Sequence, residues 1–132
     1  MNSAADDIAT ILEDEAVATR ATDLFVGQEP DGPDNCLTIY DAGGGSILDA
    51  LDPDAEAEIA EVQVRARNNS YAAAVAALEA VKSAVNLKQW VEVGTTTYEG
   101  IWRSTSIIQL ESDAKGRTVL VQTYRTLRYN TP

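Results

Sequence analysis

The chain has 132 residues, no histidine and a single cysteine, Cys36. This length predicts one domain, residues 1–132, with its own core, and a single thiol excludes a disulfide within the chain. No apolar run is long enough to cross a membrane, and the acidic N-terminus does not resemble a signal peptide, so we expect a soluble protein of a reducing compartment with no membrane partner.

The formal net charge of −11 is unevenly distributed along the chain. Residues 1–62 carry 16 acidic residues and one basic residue, whereas residues 63–132 carry 5 acidic and 9 basic residues. The acidic half would repel a phosphate backbone, which argues against nucleic-acid binding there. Opposite charges on the two halves favour attraction between copies, although solubility is the simpler explanation.

The first half of the chain predicts a helix and two short strands, separated by loops. The helix has apolar residues at helical spacing, the strands are short apolar and β-branched runs, and the loops contain prolines and glycines. Few bulky apolar residues hold these loops down, so we expect them to be mobile. In order, the segments are an N-terminal helix at residues 5–20 within 1–22, a strand at 24–26, a mobile loop at 27–35, a strand at 36–40 and a mobile loop at 43–58.

A strand followed by a helix in the middle of the chain organises the rest. Residues 60–67 alternate between apolar and polar side chains, which is typical of a strand with one covered face. Ser70 is then placed to accept a hydrogen bond from an exposed amide at the start of a helix. The helix carries many alanines, which let it approach a sheet closely. Its apolar stripe consists of Tyr71, Ala74, Val75, Leu78, Val81 and Val85.

The last third of the chain predicts further strands joined by tight turns. Its final strand, residues 117–128, is apolar on both faces, and such a strand usually has both faces covered. With two helices available, one cover is expected to come from a partner. The other predicted segments are a short strand or connector at 89–93, a turn at 94–97, strands at 98–103 and 107–112 with a break at 104–106, and a turn at 113–116.

The residue types argue against catalysis and against a designed metal or cofactor site. Without histidine the chain lacks the usual general base and the commonest metal ligand, and Cys36 has the neighbours of a buried apolar side chain. The glycines at 43–45 have no lysine at phosphate-loop spacing. Residues 52–58 begin like a calcium loop, but Ala57 and Gln63 stand where that loop requires glycine and glutamate. We therefore predict no enzyme, no cofactor and no metal.

Several motifs together resemble phage minor capsid proteins. The first is residues 33–41, which read Pro-Asp-Asn-Cys-Leu-Thr-Ile-Tyr-Asp, followed by two glycines. Residues 62–65, Tyr71 with its alanine-rich helix, and the hairpin that starts at Asp113 follow in the same order. From Leu24 to its end the chain is therefore similar to the tail terminators, or tail completion proteins, of long flexible-tailed phages.

The resemblance implies an α+β single domain with a largely antiparallel or mixed β-sheet and two α-helices packed on one face. It also implies a structural virion protein in the tail or neck, assembled in the host cytoplasm. Copies would form a ring, commonly a hexamer, that caps the tail tube protein and offers a surface to the head–tail connector or stopper protein. DNA would pass through the lumen without specific binding, which an acidic wall suits.

Two departures from the family pattern and two alternative functions accompany this resemblance. Ala42 stands where a threonine is often found, and residues 46–58 are unusually acidic. Another neck or tail component, such as a stopper or connector adaptor, would share the virion setting. A small-molecule-binding α+β domain would instead need a deep pocket with a desolvated carboxylate.

The charge pattern predicts which residues join one copy to the next. Basic side chains of the central and terminal strands are expected to meet acidic loops of a neighbouring copy, and a head-to-tail contact of this kind closes into a ring if its rotation closes. Three apolar residues within the acidic segment are expected to dock on a different partner. The predicted subunit interface is Arg65, Arg67, Arg125, Arg128, Asp31, Asp34 and Asp41, and the predicted docking residues are Ile47, Leu48 and Leu51.

Overall fold

The computed structural model describes residues 1–49 and 56–131. Two helices pack on one face of a mixed sheet of seven strands in a single α+β domain, which confirms the predicted fold class. In chain order the elements are α1 (Ala4–Asp14), β1 (Leu24–Val26), β2 (Cys36–Asp49), β3 (Glu56–Asn68), α2 (Tyr71–Val85), β4 (Lys88–Val93), β5 (Thr96–Arg103), β6 (Ile108–Gln109) and β7 (Thr118–Asn130).

The strand order across the sheet is β1-β2-β3-β7-β5-β4. Strands β1 and β2 are parallel, and every other pair is antiparallel. At the centre, β3 and β7 pair continuously from Ala57↔Tyr129 to Asn68↔Thr118. On its other side, β7 pairs with β6 through residues 120–121 and with β5 through residues 124–130. The predicted break near residues 104–106 lies between these two pairings.

Serine side chains begin both helices, because each satisfies an amide that the first helical turn leaves unpaired. The Ser3 hydroxyl accepts from the amide of Asp6, and the predicted Ser70 cap accepts from the amide of Ala73 at 3.3 Å. Alternating side chains of β3 and β7 pack against the helices and form the core with them. The fully buried residues of this core include Val62, Val64, Leu120 and Tyr124 from the strands, and Leu78 and Val81 from α2.

Helix α1 ends six residues earlier than the sequence predicts. Its apolar stripe finishes at Leu12, and Ala16 adopts a positive φ of 57°, which no helix continues through. The chain then turns back, so that the guanidinium of Arg20 binds the side chains of Asp6 at 2.6 Å and Glu13 at 2.9 Å. Arg20 therefore supports the outer face of α1 instead of extending it.

The prediction of a loop across residues 43–58 is wrong over the part the structure describes. Strand β2 continues to Asp49 and β3 begins at Glu56, while residues 50–55 lie outside the described residues. The glycines permit pairing here, because the register shifts at Gly44 and a side chain there would overlap the carbonyl of Ile59. The sequence predicts that the strand ends at these glycines, but Gly44 lies at a β-bulge through which the strand continues. The mobility of this segment stays a prediction.

The remaining differences are small and concern strand length. The strand predicted at residues 107–112 shrinks to β6, Ile108–Gln109, and the possible connector at 89–93 is strand β4, Lys88–Val93. Among the described residues, neither helix combines the length and apolar character needed to cross a membrane.

Candidate functional site

The face of the sheet opposite the helices, here called the helix-free face, carries several arginines that form ion pairs within the chain. Side chains alternate along strands, and the register pairs Cys36 with Arg67 and Thr38 with Arg65 on this face. Residues 28–35 lie over it and receive hydrogen bonds from its arginines. The face is therefore covered at one end by a loop instead of a helix.

Arg67 is the main anchor of that loop, and its side chain is only 3% exposed. Its guanidinium donates to the carbonyls of Pro30 and Pro33, each at 2.6 Å. Glu29 lies 3.2 Å from the same guanidinium and also accepts from Arg65 at 2.8 Å. A buried guanidinium needs its donors satisfied, and the loop supplies the acceptors.

Arg117 holds the same loop from the terminal hairpin. Its guanidinium donates to the carbonyl of Asp31 at 2.7 Å and to the carboxylates of Asp34 at 3.0 Å and Asp113 at 2.7 Å. Hydrogen bonds from Lys115 to Asp31, and from Asn69 and then Arg117 to Asp34, lower the pKa of both carboxyls. Residues 28–35 together with Arg65, Arg67 and Arg117 are called the loop clamp below.

Four of the predicted interface residues thus pair within this loop clamp of their own chain. Arg65 and Arg67 pair with Glu29, and Asp31 and Asp34 pair with Arg117. The sequence showed the opposite charges but not their partners, because the pairs join residues more than 30 positions apart. Their use between copies stays a prediction.

The other three predicted interface residues lie in different places. Asp41 accepts from the amide of Ala5 at 3.0 Å, at the start of α1. Arg125 lies on the helix-free face and pairs with Glu61 across the strands at 2.6 Å. Arg128 lies on the helix-covered face. Strand alternation separates Arg125 from Arg128, so they do not share one basic surface.

Arg128 belongs to a buried polar cluster beneath the N-terminus of α1. Its guanidinium binds Glu58 and donates to the carbonyl of Asn2 at 2.7 Å. The Tyr98 hydroxyl donates to the Asp7 carboxylate at 2.7 Å, and the Arg128 guanidinium lies 3.8 Å from that carboxylate. Burial raises the pKa of Asp7, although the Tyr98 hydrogen bond opposes this. The cluster fastens α1 to β5 and β7.

Two of the three predicted docking residues, Ile47 and Leu48, lie in the last part of β2, where it pairs with the start of β3. Ile47 pairs with Glu58 and Leu48 pairs with Ala57 in the backbone register. Leu51 lies outside the described residues. Their contact with a partner stays a prediction.

An exposed aromatic surface at the β4 edge was not predicted from the sequence. Leu87 is 73% exposed and Trp90 is 64% exposed, and both have positive φ angles of 64° and 56°. Trp102, in the neighbouring strand β5, is also exposed, and its ring packs over Gly100 of the same strand. Both tryptophans of the chain lie here. Arg103, the next residue of β5, pairs in register with Tyr124 and therefore lies on the opposite face of the sheet from Trp102, which pairs with Arg125. The residues on either side of Trp90, polar Gln89 and apolar Val91, give no consistent sequence signal of this exposure.

The described residues show little that resembles a catalytic or metal centre. No group of three or more cysteine, aspartate or glutamate side chains has metal-binding geometry within residues 1–49 and 56–131. A concavity of about 140 Å³ lies beside Cys36, between Asp23 and Arg67. The thiol is buried, which raises its pKa, and this agrees with the predicted apolar role.

Comparison with known proteins identifies the family. Residues 11–130 match the family of bacteriophage tail terminator proteins. The chain belongs to this family. The match covers most of the tail terminator domain described above, and it confirms the resemblance drawn from the sequence motifs.

A solved structure also shares the fold of this tail terminator family member. It comes from the virion of a native gene transfer agent particle and superposes with a TM-score of 0.66 at 14% identity. The alignment covers 98% of this chain and 100% of that one. A search of curated protein sequences finds no match. Family membership makes this chain a phage tail structural protein that associates with other virion components.

Proposed function

We propose that this protein forms a ring, commonly a hexamer, that caps the tail tube and joins it to the head connector. The observation that carries this proposal is the match to the tail terminator family over residues 11–130. The ring would lie at the neck of the virion after assembly in the host cytoplasm. Its partners would be further copies of itself, the tail tube protein and the connector or stopper protein.

The distribution of charge supports passage of DNA through such a ring without specific binding. Of the ten lysines and arginines, nine form ion pairs with other described residues of the same chain. Binding to a phosphate backbone depends on cations that neutralise phosphates and release counterions. A chain of net charge −11 with its cations already paired has little to hold DNA in place.

Electron microscopy of phage particles made without this protein tests the capping role. We expect overlong tails without heads, because nothing would stop polymerisation of the tube, and normal tails when the protein is supplied again. Tails of finished length that lack heads would contradict capping and would support the stopper or adaptor function instead. Mass measurement of the purified protein separately tests the ring and its subunit count.

The interface residues named from the sequence remain part of this proposal. Arg125 is the first to test, since its side chain is 43% exposed whereas those of Arg67 and Arg128 are almost fully buried. Arg125→Glu should weaken ring formation more at low salt than at high salt, because exposed charges are screened. Unchanged assembly at every salt concentration would remove Arg125 from the interface.

The β2–β3 ribbon is proposed to dock on a neighbouring virion protein through Ile47, Leu48 and Leu51. Hydrogen exchange of the ribbon in the free protein and in capped tails tests this. Protection of residues 43–58 that is already complete in the free protein would contradict the predicted mobility and the docking.

A further inference from the structure

A buried carboxyl group lies between helix α1 and the sheet, and the functions proposed above do not use it. Asp7 is 1% exposed. Its carboxylate accepts from the Tyr98 hydroxyl at 2.7 Å and from the side chain of Asn2, while Asp6 beside it on α1 adds repulsion. Arg128 approaches the same carboxylate only to 3.8 Å, beyond hydrogen-bond distance. Asp7 is therefore held mainly by neutral donors.

The cluster around Asp7 contains two carboxyl groups but one guanidinium. The Nε and Nη2 atoms of Arg128 both donate to Glu58, and its Nη1 atom donates to the carbonyl of Asn2 at 2.7 Å. The positive charge of Arg128 is thus matched by Glu58, and an ionised Asp7 adds a negative charge to a buried site. Burying a charge without a close counterion is costly. The cluster is neutral, and α1 packs most firmly, when Asp7 holds a proton.

The N-terminal part of α1 can open without breaking the centre of the sheet. The helix is the first element of the chain, and the strand that follows it, β1, is an edge strand of three residues. Close to Asp7, the amide of Ala5 donates to the Asp41 carboxylate at 3.0 Å. Asp41 is the last residue of β2 before its register with β3 shifts at Gly44. The first turn of α1 therefore holds the base of the β2–β3 ribbon.

We propose that the N-terminal part of α1 is a proton-controlled latch at the base of the β2–β3 ribbon. With Asp7 protonated, α1 is closed on the sheet and holds Asp41. An ionised Asp7 is better solvated outside the cluster, so loss of the proton lets the first turns of α1 lift and release Ala5 from Asp41. The use of this latch in assembly rests on the proposed docking of the ribbon, whereas the latch itself is a property of the free chain.

Hydrogen exchange of the free protein between about pH 4 and pH 8, corrected for the intrinsic effect of pH on exchange, tests the latch. Burial raises the pKa of Asp7. Between the ordinary and the raised pKa, protection of residues 4–10 and 41–49 should fall up to about tenfold for each pH unit. Asp7→Asn does not ionise, so its protection should not depend on pH. Asp14→Asn, which changes an exposed acid of the same helix, is the matched control and should behave like the parent.

Tyr98→Phe adds a test with a defined sign. The Tyr98 hydroxyl opposes the raised pKa of Asp7, so its removal should raise that pKa further and move the fall in protection to higher pH. A purely structural loss would instead lower protection equally at every pH and would count against the latch. Thermal unfolding checks that each variant is folded.

Other results would also overturn the latch. Protection of α1 that does not depend on pH in the parent would do so, and so would an NMR titration of the Asp7 carboxyl carbon at or below its ordinary pKa. Equal loss of protection across residues 118–124 of β7 would indicate unfolding of the whole domain. Loss confined to residues 4–10 would show that α1 opens without releasing the ribbon.

These outcomes are separate from those of the proposed function. All of them concern the free protein, so failure of the latch would leave the capping role intact. A protein with a working latch that fails to cap tails would overturn the capping role alone.

Discussion

The two faces of the sheet are held by different physical means. On the helix-covered face, alternating apolar side chains of β3 and β7 are fully buried against α1 and α2, and the buried polar groups there include the Asp7 cluster, Gln122 and Thr126. On the helix-free face, guanidinium groups hold a loop through backbone carbonyls and carboxylates. The apolar side chains are close-packed, whereas the loop clamp depends on individual hydrogen bonds. A cavity in the packed face should therefore destabilise the whole domain, and loss of a clamp hydrogen bond should loosen the loop locally.

The largest effect is expected from a cavity on the helix-covered face. Leu78→Ala removes a fully buried side chain of α2 from the core, which should lower the free energy of unfolding by about 2–5 kcal/mol. Urea denaturation measures this, with exposed Ala76→Ser on the same helix as control. A loss below about 1 kcal/mol would show that the core relaxes around the cavity.

A smaller and more local effect is expected from the loop clamp. Arg67→Ala leaves the carbonyls of Pro30 and Pro33 and the carboxylate of Glu29 without this partner. We expect a loss of about 1.5–3 kcal/mol in the free energy of unfolding and faster hydrogen exchange across residues 28–35. Arg65→Ala is the matched control, because Arg65 makes one contact with Glu29 and is more exposed. Equal effects of the two variants would contradict the anchoring role of Arg67.

The two faces should also respond to pH with opposite sign. Burial raises the pKa of Asp7, so its contribution to stability is present at low pH and is lost as pH rises through the folded-state pKa. The hydrogen bond from Lys115 lowers the pKa of Asp31, so its contribution is present above the ordinary value and is lost as pH falls. The destabilisation by Asp7→Asn should therefore shrink as pH rises, and that by Asp31→Asn should shrink as pH falls.

Urea unfolding of the parent and both variants between about pH 3 and pH 7 checks this difference in sign. A cost of Asp7→Asn that grows with rising pH would show that the carboxylate is stabilised in its charged form by Arg128, against the stated direction.

The smallest effect on stability is expected at the sheet edge, which neither helix nor loop covers. Trp90→Gly should raise the free energy of unfolding by about 0.5–1 kcal/mol, because a bulky residue with positive φ is strained. Thermal unfolding measures the gain, with Gln89→Gly as a control at an exposed neighbouring position. A loss of stability in Trp90→Gly would indicate that the indole contributes packing within its own chain.

Local sequence patterns determined the elements whose causes are local. Alternation over residues 60–67, the Ser70 cap and the stripe of α2 depend on neighbours within a few positions. The structure confirms the strand, the cap and the stripe from Ala74 onwards, whereas Tyr71, predicted as part of the stripe, is 55% exposed. The tail terminator resemblance was also visible, because its motifs keep their order along the chain.

Only the tertiary structure decided which charges meet and which side chains remain outside. Arg67 reaches carbonyls 34 and 37 positions away because β2 and β3 bring the loop over it. Gly44 reads as a break in the sequence, yet it lets β2 continue beside Ile59. The exposure of Trp90 likewise follows from the place of β4 at the edge of the sheet. Strand order and register are set by contacts between distant segments, which local periodicity does not encode.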